Sequence, residues 1–174
     1  MNLLSELATF DGKHTDTLAD IASRLSPEPF VIDDLCEIAK GDDAKLQSAS
    51  TWMLKHFQEN GVVFSTEQTD ALLGLFEYAM HWEAKLHLLQ MMPMWVIPAA
   101  RQDALYAVLT GYLDDRKGKK FVRAWAYNGL AVLADQYPEW RVDVMALLAR
   151  GREEEAASVK ARIRNMHTEF TWVD

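Results

Sequence analysis

Cysteine is almost missing from this sequence. The single Cys36 excludes an intramolecular disulfide, and nothing around it has the spacing of a thiolate metal site. Positive charge is also short, with 18 Lys and Arg against 26 Asp and Glu and a net charge of -8. That balance is the reverse of the basic footprint left by sequence-independent nucleic-acid binding. No run approaches the ~18 consecutive apolar residues of a membrane span, and the opening MNLLSELATF has no basic region before its short apolar run. Neither a span nor a secretory leader is therefore expected, and a reducing, cytoplasmic setting is the reading. Five prolines and eight glycines are too few to interrupt the chain often, which favours helices.

Catalytic signatures are missing as well. His81 and His87 are six residues apart and fall on different helical faces, and no His-Glu-x-x-His spacing occurs. There is no Gly-rich phosphate loop and no nucleophile with an evident base. No catalytic residue, metal ligand or cofactor is assigned, and the chain is read as a non-enzyme. Asp33-Asp34 and Asp114-Asp115 fall at turns or helix starts, where capping explains them. Cys36, beside Leu35 and Ile38, reads as inert core, and His87 as a satisfied, partly buried histidine.

What is present is a core-forming composition, 49% hydrophobic and 25% charged. A chain of this length can bury roughly 70% of its unfolded surface, and a single domain over 1–174 is expected. The negative charge is uneven: residues 1–60 hold five Lys and Arg against eleven Asp and Glu, and residues 61–174 hold thirteen against fifteen. The stretch Lys119 to Trp140 is the clearest element. Val122, Ala126, Leu130 and Leu133 lie four, four and three residues apart, so a helix places them on one face.

The same periodicity places helices along the rest of the chain. A cap over 1–26 holds two short helices, and further helices are predicted at about 30–40, 43–60, 66–80, 82–92, 99–113, 119–136, 138–150 and 154–167. Gly41 and Gly61 end two of them, Asp42 or Asp43 caps the 43–60 helix, and Ser65 with Gln68 forms a capping box. Pro138 suits the start of a helix, and the last pair is expected to break around Gly151, with Glu153, Glu154 and Glu155 at the start of the final helix.

These helices pair, and the second member of each pair repeats. Leu46-Gln47-x-x-Ser50-x-x-x-Leu54 aligns with Met80-His81-x-x-Ala84-x-x-x-Leu88 and with Val122-Arg123-x-x-Ala126-x-x-x-Leu130, and more loosely with Val159-Lys160-x-x-Ile163. The offsets from Ser50 to Ala84 to Ala126 to Ile163 are 34, 42 and 37 residues, a spacing of degenerate solenoid repeats. A second register, Pro93-x-Trp95 on Pro138-x-Trp140, stays open. Over residues 28–168 the sequence resembles the HEAT-repeat, or armadillo-like, family. His81 and Lys160 stand where the family's second helix usually has Arg. The resemblance implies an all-α, right-handed α-solenoid of about four helix pairs behind an N-terminal cap, with 169–174 as a tail.

The resemblance further implies that second helices line a concave side. There Gln47, His81, Arg123 and Lys160 would form one row and Thr51, Lys85, Tyr127 and Arg164 another. His81, Lys85, Arg123, Tyr127, Lys160 and Arg164 are the candidate partner-binding residues, making a partly basic stripe for another protein with an acidic segment. The competing reading of Arg123 and Lys160 is structural, as bonds to turns of neighbouring repeats. Among the tryptophans, Trp95 and Trp172 are the expected interface anchors. The second functional reading is nucleic-acid binding, because alkyl-DNA glycosylases of the AlkD type share the architecture. No membrane partner is expected.

Overall fold

A computed structural model describes residues 2–173, and every regular element among them is helical. Packing divides the chain after Met91 into two compact units. The first contains α1 (Leu3–Leu7), α2 (Asp16–Arg24), α3 (Pro29–Ala39), α4 (Ala44–Glu59), α5 (Thr66–Gly74) and α6 (Trp82–Met91), with a 3-10 turn at Leu75–Glu77 extending α5. Local chemistry sets these limits. The Asp43 carboxylate accepts from the Lys45 and Leu46 amides, and the Ser65/Gln68 capping box forms in both directions. Gly61 takes φ 92°, a left-handed conformation that costs glycine little.

Within this unit α4 is the central helix. It packs against α1, α2, α3 and α6, while α5 lies along α3. The small side chains Ser48, Ala49, Ser50 and Thr51 are all buried and allow the close approach, and Met53, Leu54 and Phe57 supply the apolar core below them.

The second unit contains α7 (Gln102–Asp114), α8 (Lys120–Gln136), α9 (Arg141–Glu154) and α10 (Ala157–Asn165), with 3-10 turns at Met92–Met94, Ala99–Arg101, Pro138–Trp140 and Met166–Thr168. Here α8 is central, packed against α7, α9 and α10. The expected amphipathic helix is in fact covered on most sides. From Val122 to Ala134 only Trp125 escapes full burial. A helix that packs on three neighbours needs apolar or small residues around most of its circumference.

The break expected at Gly151 does not occur. α9 runs on to Glu154, and α10 begins only at Ala157, so Glu153 and Glu154 end one helix rather than open the next. Gly151 serves packing instead. A Cβ there would lie 2.6 Å from Ile163 Cδ1 and 2.7 Å from Tyr127 Cζ, so the missing side chain is the space that the Tyr127 ring fills.

Candidate functional site

Two residues of the predicted row do the same job in the two units. In α4 the buried Gln47 amide donates from Nε2 to Gly41 O at 2.8 Å and Tyr78 O at 2.9 Å, and its Oε1 accepts from the Met80 and His81 amides at 3.0 and 3.2 Å. One side chain thereby ties the turn before its own helix to the turn before α6. In α8 Arg123 donates from Nη1 to Gly118 O at 2.9 Å and Asp115 O at 3.3 Å, and from Nε to the Glu155 carboxylate at 3.2 Å. It ties the turn before α8 to the turn before α10. Arg116 closes the second unit's network, with Nη1 2.7 Å from the other Glu155 oxygen.

This geometry corrects two of the expected binding residues. Arg123 is only 8% exposed, and its Nε and Nη1 donors are spent on its own chain. Tyr127 is fully buried against Gly151, and burial raises its hydroxyl above the usual phenol range. Neither is presented to a partner. Lys160 remains half-buried and donates to Glu153 O at 2.6 Å, a carbonyl in the last turn of α9. Arg164, four residues on, is exposed on the same face of α10.

In the first unit His81 and Lys85 are half-buried on the α6 segment. His81 Nδ1 lies 3.7 Å from the Glu83 carboxylate, too far for a hydrogen bond. His87 Nδ1 is 3.0 Å from Thr51 Oγ1, and burial, with Lys55 and His81 nearby, pulls the imidazole down to about 4. His87 is thus a neutral, satisfied histidine. Cys36 is buried, and its thiol is pushed up to about 12, chiefly by desolvation. It is inert packing, as its neighbours suggested.

Both tryptophans expected to anchor a partner pack against their own unit. Trp95 is 4% exposed, and its carbonyl accepts from Gln136 Nε2 at 2.9 Å. Trp172 donates to Asp135 at 3.1 Å and lies under the Arg141 guanidinium. The aromatic that does shape a surface is Trp125. Arg162 of α10 lies over its ring at 3.7 Å and donates to Asn128 Oδ1.

That group was not singled out in the sequence, because Arg162 lies off the repeated row. It leaves two buried donors unmatched, Arg162 Nε and Asn128 Nδ2. Among the described residues no group of three or more His, Cys, Asp or Glu could hold a metal, and no helix is long and apolar enough to cross a membrane.

The chain matches no protein-family model, no curated protein and no solved structure.

Proposed function

We propose that the chain is a non-enzymatic, cytoplasmic protein-binding module built from HEAT-like helix pairs, and that the α8/α10 face of its second unit receives an acidic segment of another protein. The carrying observation is Arg162, a half-buried guanidinium that lies 3.7 Å over the Trp125 ring and is fixed by an Nη2 bond to Asn128, which leaves its Nη1 end without a bond to these two neighbours. A cation already fixed in place loses little side-chain freedom on binding a carboxylate, and a guanidinium can receive it through two donors. Arg164, two residues on and exposed on another face of α10, adds only to the positive charge nearby. The repeat reading draws support from Gln47 and Arg123, which make equivalent bonds at aligned positions.

The test uses a fluorescent Glu-rich peptide and a duplex DNA oligonucleotide against the full chain. The peptide should bind, and Arg162→Gln should weaken it about tenfold, a loss of about 1.4 kcal/mol, with a smaller loss for Arg164→Glu, which changes only the nearby charge. Peptide binding that ignores both substitutions contradicts the proposal. Binding of DNA instead, falling steeply with salt, would move the function to nucleic acid.

A further inference from the structure

On the first unit a second surface has the opposite character. α1 is five residues long, and α3 is eleven. At 1.5 Å per residue the shorter helix spans less than half the length of the longer, and it packs on α2 and α4. One face of α3 is therefore left uncovered. Phe30, Asp34, Glu37 and Ile38 lie at spacings of four, seven and eight from Phe30, which is one helical face.

This face borders two neighbouring hollows that share Leu3 and Asp34. The larger, about 500 Å³, is lined by α1 and by Asp34, Glu37 and Ile38, and the smaller, about 240 Å³, by Leu25, Glu28 and Phe30 among others. The larger volume is in the range of ligand clefts, roughly 300–1,000 Å³.

Two features of the groove are costly for a surface that meets only water. Phe30, on the smaller hollow, is 65% exposed and Leu4, on the larger, 49% exposed. The rim is of one sign: Glu28, Asp34 and Glu37 line the hollows, and no Lys or Arg does. Glu37 is engaged by Lys40 outside the groove, and Glu28 accepts from Ser26, which leaves Asp34 the most available carboxylate. The surrounding unit amplifies this field, with six Lys and Arg against fifteen Asp and Glu in residues 1–91.

We infer that the α1/α3 groove is a docking site for a cationic segment of a partner protein, seating one bulky apolar side chain among Leu3, Leu4 and Ile38 and a second against Leu25 and Phe30, and placing flanking Lys or Arg against Asp34, Glu37 and Glu28. It does not rest on the acidic-partner site of α8 and α10, from which it differs in place and sign. Apolar anchoring gives affinity, and the acidic rim gives orientation and rate of encounter.

The test is fluorescence anisotropy of three short synthetic peptides with the full chain: one with Leu-Phe flanked by Lys and Arg, one with Leu-Phe replaced by serines, and one with the cations replaced by Glu. Only the first should bind. Asp34→Lys with Glu37→Lys, and separately Phe30→Ser, should each weaken it at least about tenfold, while Arg164→Glu leaves it unchanged. All these positions are exposed, and circular dichroism checks that the variants fold.

Binding of the serine peptide as tightly as the first would mean diffuse charge attraction and would overturn the inference. So would binding by no peptide of the set, or binding indifferent to both groove variants. Light scattering that shows a dimer lost on Phe30→Ser would assign the groove to a second copy of the chain, also against the inference.

Discussion

Gln47 in the first unit and Arg123 in the second do one job with different chemistry. Each is a buried polar side chain near the start of its unit's central helix, and each ties the turn before that helix to the turn before the next second helix. The amide does so with neutral bonds to backbone alone. The guanidinium needs a buried counter-charge, Glu155, whose side chain is 1% exposed, and a third member, Arg116, 44% exposed at the edge. The difference separates two reasons for a charge on these helices. Arg123 finds acceptors on its own chain for Nε and Nη1, whereas Arg162 Nε finds none.

The same contrast extends to whole units. Residues 1–91 carry six cations against fifteen anions, net -9, and residues 92–174 carry twelve against eleven, net +1.

The comparison can be broken at graded cost. The largest effect is expected from Arg123→Met, which leaves the buried Glu155 only the half-exposed Arg116 as counter-charge, at about 3–5 kcal/mol of stability in urea denaturation. Gln47→Ala should cost about 3 kcal/mol, since it frees four backbone groups but no charge. A cost for Gln47→Ala equal to an exposed substitution would end the equivalence.

Acid should weaken the first unit through one half-buried imidazole. His87 is held near 4 when folded against 6.5 otherwise. The unfolded chain therefore binds the proton first, and stability is full above about pH 6.5 and falls toward pH 4 by up to about 3 kcal/mol. His87→Gln should flatten that part of the pH profile of thermal unfolding. The smallest effects come from two helical glycines of the second unit. Gly151→Ala should destabilise by about 1–3 kcal/mol through its clash with Tyr127 and Ile163. Gly111→Ala, with nothing within 4 Å of the new Cβ, should stabilise by about 0.5–1 kcal/mol.

Much of the helix layout is legible in the sequence because its signals are local. Asp43, Ser65 with Gln68, and Gly61 act on their own neighbours, and each marks the boundary it was read to mark. Gly151 was misleading because a glycine before a run of glutamates looks like a stop, while its actual role depends on the Tyr127 ring more than twenty residues earlier. The site was less legible for a related reason. Aligning repeats picks out one helical row, and that row proved rich in residues that bind the chain's own turns. Arg162, on another face, became visible only when α8 and α10 were placed side by side.

The most direct test of the central claim, that Arg123 is a structural tie and not a binding residue, is a double-mutant cycle in urea with Arg123→Met, Glu155→Leu and both together. Each single change should cost about 3 kcal/mol or more, and the double change should recover most of that loss, because no buried charge is left unpaired. Acidic-peptide binding by the folded double variant should match that of the unaltered chain. Small, additive losses of stability together with lost peptide binding would contradict the account.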